Sequence, residues 1–138
     1  MSLLLKIKSS QVFDNNAHVP LRKSVRLASS DIGEEVFIWF ADTPSEKSAL
    51  RFRTHLRDVN EISLPQVRDP SKCKPGYQLT FSSNMEIAGR PFLTEDLKAV
   101  RYSEGDSAFE RLGKLHRDRN DKIIRISEKE AQFLAQYF

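Results

Sequence analysis

The residues best placed to do chemistry in this chain are cations. In Ala49-Leu50-Arg51-Phe52-Arg53-Thr54-His55-Leu56-Arg57, side chains alternate between two faces. Leu50, Phe52, Thr54 and Leu56 fall on one, and Arg51, Arg53, His55 and Arg57 on the other, as in a half-buried antiparallel strand. No acid interrupts the basic set before Asp58. Guanidinium groups donate in a fixed fork that suits phosphate oxygens, so such a face fits a polyanion. Further bases gather at Arg22, Lys23 and Arg26, and at Arg111, Lys114, Arg117, Arg119, Lys122 and Arg125. The net charge of +3 is mild, and with a pI near 9.1 it permits a nucleic-acid surface without demanding one.

Other chemistries find less support. His116-Arg117-Asp118-Arg119-Asn120-Asp121-Lys122 is the densest polar cluster. His116, Asp118 and Asp121 could hold a divalent metal in a nuclease, but no second acid or His pattern supports it. The segment reads instead as a solvated loop before the last strand. The three histidines, His18, His55 and His116, show no ligand spacing. Gly-rich phosphate loops and nucleophile elbows are lacking, so neither a catalytic site nor a cofactor is expected. One cysteine, Cys73, excludes an internal disulfide, and its neighbours Lys72 and Lys74 do not make a loop thiol a nucleophile.

The element that must position the cations is Val36-Phe37-Ile38-Trp39-Phe40-Ala41, delivered by the acidic turn Asp31-Ile32-Gly33-Glu34-Glu35 and stopped by Asp42-Thr43-Pro44-Ser45. A short unbroken run of β-branched and aromatic residues suits a strand covered on both faces, hence a central one. Val36, Ile38 and Phe40 share one face; Phe37, Trp39 and Ala41 share the other. Trp39, the only Trp, is read first as core, with a base-stacking platform as the functional alternative.

Around that strand, Leu3 to Lys8 reads as a first strand, and Asp14-Asn15-Asn16 as a turn anchored by Val12 and Phe13. Leu21 to Ala28 reads as a short basic amphipathic helix or as a strand through Val25 and Leu27. With Pro65, Pro70 and Pro75, the span 60–76 reads mostly as a surface connection. Tyr77 to Ser82 is a strand, and Ile87 to Leu93 a turn with an apolar anchor. A helix starts at Thr94, and Phe109, Leu112 and either Leu115 or His116 suggest another. Lys122 to Ile126 is a final strand. Ser127-Glu128-Lys129-Glu130 is a capping box, opening a helix that docks through Ala131, Leu134, Ala135 and Phe138.

At 138 residues, 39% hydrophobic and 30% charged, the chain fits one globular domain over 1–138. No apolar run is long enough to span a bilayer, so no membrane partner is expected. Met1 to Ile7 meets Lys6 and Lys8 too soon for a secretory signal, and a reducing cytoplasm fits the single thiol.

The order of these pieces resembles a family. "IGEEVFIWF", "ALRFRTHLRDV", "YQLTF", "RPFLTEDL" and "DKIIRISEKEAQFL" are similar to the PUA-like superfamily and its EVE-type domains, with Glu34 standing where that family usually has Asp. The resemblance implies an α+β fold, a small mixed β-barrel or strongly curved sheet with short flanking helices. It also implies a non-catalytic nucleic-acid reader, of DNA or RNA, whose pocket accepts a modified or flipped base. Arg26, Trp39, Arg51, Arg53, His55, Arg57, Arg117 and Arg119 are the expected nucleic-acid-binding residues. The alternatives are a metal-dependent nuclease and a protein-interaction domain.

Overall fold

The computed structural model describes residues 2–8, 16–21, 25–41, 49–66, 68–93, 96 and 122–138. Seven strands are described: β1 (Leu3–Lys8), β2 (Asn16–Pro20), β3 (Glu35–Ala41), β4 (Ala49–Pro65), β5 (Cys73–Phe81), β6 (Glu86–Leu93) and β7 (Lys122–Arg125). A 3-10 turn at Ser29–Asp31 precedes β3, and one helix, α1 (Glu128–Ala135), follows β7. The sheet order is β2-β5-β4-β3-β1-β7, with β6 paired to β4. Among the described strand pairs only β1 and β3 run parallel; the others are antiparallel. The terminal strands β2 and β7 approach each other, so the mixed sheet curls into a half-barrel.

The apolar run of β3 is central and covered on both faces, as its composition dictates. Val36, Ile38 and Phe40 join the barrel interior with Leu3, Leu5, Val19, Leu56, Tyr77 and Leu79. Phe37 and Trp39 join a second cluster with Leu4, Leu50, Phe92 and the helix residues Ala131 and Leu134. The capping box forms as the sequence requires. Ser127 Oγ accepts from the Glu130 N–H at 3.1 Å, and Glu130 Oε1 accepts from the Ser127 N–H at 2.9 Å. The tail beyond α1 lays Phe138 5.9 Å from the Phe37 ring.

Two expectations are corrected and two open spans are placed. The span 60–76 is no loose connection: β4 continues through Pro65, and β5 returns from Cys73, pairing Pro65 with Cys73 and Ser63 with Pro75. Proline is tolerated there because the last β2 pair is Pro20 with Gly76, leaving the ribbon beyond with open edges. Ile87–Leu93 is strand rather than turn. A register shift between Leu50 and Phe52 absorbs its middle, and the Gly89 N–H donates to the Tyr137 carbonyl at 2.7 Å. Asn16–Pro20, unassigned from sequence beyond the turn former Asn16, is an edge strand that buries Ala17 and Val19 and exposes His18. Among the described residues of 21–28 there is no helix; Val25 makes an isolated bridge and Leu27 is buried. The expected loop anchored by Val12 and Phe13, and nearly all of the Thr94 and Phe109 helices, lie outside the described residues.

Candidate nucleic-acid interface

The basic strand does not present one continuous cationic face. In the β3–β4 ladder Ile38 pairs with Phe52 but Trp39 pairs with Leu50, leaving Arg51 as the extra residue of a bulge. That one residue moves Leu50 and Phe52 to opposite sides. Leu50 packs with Trp39, whereas Phe52 meets Phe40 edge-on at 5.5 Å on the barrel side. A second shift, between Leu56 and Asp58 against β5, makes Arg57 another bulge residue, exposed to solvent.

Arg53 is committed within the fold. Its Nε and Nη2 reach Glu35 Oε2 at 2.8 and 2.7 Å, and Glu86 lies 3.8 Å from its Nη1. Its guanidinium sits 5.9 Å from the centre of the Phe37 ring. Acids absent from the 49–57 stretch of β4 are thus supplied by the flanking strands β3 and β6, which corrects the expectation of an acid-free basic face. Glu35 also accepts from the Ser2 hydroxyl at 3.2 Å. Ser2, Glu34, Glu35, Arg53, Glu128, Ala131, Gln132 and Ala135 line a cleft of about 440 Å³ beside α1. With three carboxylates to one guanidinium, this cleft repels phosphate.

Trp39 is 1% exposed and meets Phe92 edge-on at 5.5 Å. A ring enclosed in this way offers no face for a base, so its place is structural. Phe92 in turn stacks on Tyr137 at 4.3 Å, joining β3, β6 and the C-terminal turn into one aromatic cluster.

The expected residues left facing solvent are Arg26, His55 and Arg57. They border the connection into β3. There the Gly33 N–H donates to the Leu56 carbonyl at 2.7 Å, and the Leu56 N–H to the Glu34 carbonyl at 2.9 Å. Gly33 takes φ +96°, a conformation side-chain-bearing residues rarely adopt. Asp31 fixes the connection from the other end. Its carboxylate caps the Ala28 N–H at 2.8 Å and receives Arg125 Nη1 at 2.6 Å and Nη2 at 3.1 Å. Arg125 Nη2 also donates to the Arg26 carbonyl at 2.7 Å. The Arg125 hydrogen bond holds the Asp31 carboxyl below its ordinary value, against the opposing effect of burial.

Arg117 and Arg119 lie outside the described residues, as do His116, Asp118 and Asp121. Among the described residues no His, Cys, Asp and Glu group suits a metal ion, and no helix is long and apolar enough to cross a membrane. A cationic site that the sequence reading passed over lies at the end of the β4–β5 hairpin, where Arg68, Lys72 and Lys74 are all exposed. Its signal was the Lys72-Cys73-Lys74 run after the Asp69-Pro70-Ser71 turn.

Comparison with solved structures shows the fold. The chain superposes on the DUF55 domain of human thymocyte nuclear protein 1 with a TM-score of 0.58 at 10% identity, covering 99% of this chain and 97% of that one. The human THYN1 protein in complex with 5-methylcytosine-containing DNA matches at 0.56 and 11% identity, over 98% and 95%. A protein from Pseudomonas syringae matches at 0.54 and 12%, over the whole of both chains. No family model matches the sequence, and no curated protein does. The curled mixed sheet closed by a C-terminal helix is a PUA-like fold. Its strand order and closing helix follow the fold of the thymocyte nuclear protein domains.

Proposed function

We propose that this domain is a non-catalytic nucleic-acid reader that recognises a modified base. The observation that carries the reading is the match of almost the entire chain to a domain solved with 5-methylcytosine-containing DNA. The exposed Arg26 and Arg57, with His55 as a hydrogen-bonding neighbour, around the β3 connection supply phosphate contacts that fix position without reading sequence. Arg117 and Arg119 are further phosphate contacts that the sequence alone offers to this reading. In this reading the modified base is taken out of the stack, where a pocket can enclose its edge and both faces. Arg53 and Trp39 serve the scaffold instead. DNA is the partner this reading favours.

The test is fluorescence anisotropy with two duplexes identical except for 5-methylcytosine in place of cytosine. Tighter binding to the modified duplex, with strong salt dependence for both, is the expected result. Equal affinity for the two would remove base reading, and absence of binding to either would remove the nucleic-acid function itself.

A further inference from the structure

The β4–β5 hairpin outgrows the barrel. Its strands extend well past the point where their neighbours stop: β3 pairing ends at Glu35 with His55, and β2 pairing ends at Pro20 with Gly76. Beyond that point Ile62, Ser63, Leu64 and Pro65 pair only with Gly76, Pro75, Lys74 and Cys73. The result is a two-stranded ribbon of about 10–13 Å plus its turn, at roughly 3.3 Å per residue. An isolated two-stranded ribbon is marginal in water, and this one is secured at both ends. At its base Gly76 lets Leu64 lie against it, since a Cβ there would come within 2.8 Å of the Val19 carbonyl and Leu64 Cγ. The Leu21 N–H donates to the Pro75 carbonyl at 3.1 Å. At the tip the Gln66 N–H donates to the Lys72 carbonyl at 2.9 Å, and the Lys72 N–H to that of Asp69 at 3.0 Å. Asp69 Oδ1 accepts from the Ser71 N–H and hydroxyl at 3.2 and 2.5 Å.

This preformed end carries Arg68, Lys72 and Lys74, all exposed, against the single acid Asp69. That acid is occupied by the turn's own donors. From these observations we infer that the hairpin is a second contact arm, which lays its cationic tip along the phosphates flanking a major groove of B-form DNA. The groove, about 12 Å wide, admits a two-stranded ribbon, and the charge of the tip complements its rims. An A-form RNA duplex, with its narrow, deep major groove, would not admit the arm. The inference rests on the nucleic-acid reading above and adds to it a second cationic site beyond Arg26 and Arg57. Phosphate contacts carry no base information, so the arm raises affinity equally for modified and unmodified DNA.

The single cysteine of the chain, Cys73, is exposed on this tip and reports on it directly. One experiment measures the rate of maleimide labelling of Cys73 in the wild-type protein, alone and with saturating methylated or unmethylated duplex. A second compares salt titrations of duplex binding for wild type and the triple variant Arg68→Gln, Lys72→Gln, Lys74→Gln, with circular dichroism confirming an unchanged fold. Both duplexes should slow labelling several-fold. The triple variant should bind both more weakly by the same factor. Its slope of log affinity against log salt should be shallower by about 0.9 for each lost contact. Wild-type binding with unchanged labelling and an unchanged slope would overturn the arm while leaving the reader intact. A single strand or RNA duplex protecting Cys73 as well as B-form DNA does would overturn groove docking. Absence of any binding by wild type would overturn both.

Discussion

Arg125 on β7 forks onto Asp31 across 94 positions of sequence, with Nη1 at 2.6 Å from Oδ1 and Nη2 at 3.1 Å from Oδ2. The same guanidinium holds the Arg26 carbonyl. One ion pair therefore ties the last strand to the turn that launches the central strand. It also fixes the backbone that presents Arg26.

Asp31 makes this pair pH-dependent. Its carboxyl is held below the ordinary 3.8, first by the Arg125 hydrogen bond, with the Ala28 N–H assisting against burial. A carboxyl whose folded pKa lies below its unfolded one stabilises the fold above the unfolded value, and that contribution is lost as pH falls through the folded pKa. Asp31→Asn should lower stability by about 2 kcal/mol near neutral pH, the scale of a charge-assisted hydrogen bond. Urea unfolding of both proteins should show the gap narrowing once the pH drops below about 4. A gap that stays constant into acid would assign the loss to packing.

Gly33 and Gly76 separate conformational from steric cost. Nothing lies within 4 Å of a Cβ built at Gly33, but its φ is +96°. Gly33→Ala should cost about 1–2 kcal/mol through backbone strain alone. Gly76 has the opposite problem, because its added Cβ would crowd Leu64 and the Val19 carbonyl at the root of the ribbon. Gly76→Ala should cost about 1–3 kcal/mol as overpacking. Leu64→Ala should relieve part of that loss in the double variant, whereas it should not help Gly33→Ala. Thermal melts of the four proteins check this.

Much of this architecture was legible because it is written locally. The unbroken apolar run of β3 announces a strand buried on both faces, and Ser127 with Glu130 announces the start of α1. What stayed hidden depends on partners distant in sequence. The bulge at Arg51 is set by how β4 registers on β3, so simple alternation wrongly put Leu50 beside Phe52. The acids that capture Arg53 sit on β3 and β6, out of sight of the β4 pattern. Pro65 and Pro75 read as breakers, yet they lie where the ribbon has open edges and no missing donor matters. β2 offers only Ala17 and Val19 as apolar alternation, too little to mark an edge strand.

Trp39 distinguishes scaffold from pocket. At 1% exposure, packed on Phe92, it should give blue-shifted fluorescence that saturating DNA leaves unchanged. Trp39→Ala should destabilise by about 3–5 kcal/mol, as for other buried aromatics. A loss below about 1 kcal/mol, or strong quenching by bound DNA, would put the ring on a surface after all.

Arg53 and Arg57 should behave differently although both belong to the same basic run of sequence. Arg53, 29% exposed, is paired with Glu35 and covers Phe37. A phosphate would have to displace a carboxylate to reach it. Arg57 stands exposed on its bulge, so a phosphate meets no such competitor in the described contacts. Arg53→Gln should cost about 0.5–1 kcal/mol of stability, the upper range for a partly exposed pair, and leave the salt slope of DNA binding unchanged. Arg57→Gln should leave stability nearly unchanged and make that slope shallower by about 0.9 for one lost duplex contact. Urea unfolding beside salt titrations of both variants separates the roles. A shallower slope for Arg53→Gln would return Arg53 to the interface and mean that DNA breaks the Glu35 pair on binding. An unchanged slope for Arg57→Gln would take the β3 connection out of the phosphate track and leave the hairpin arm as its principal cationic contact.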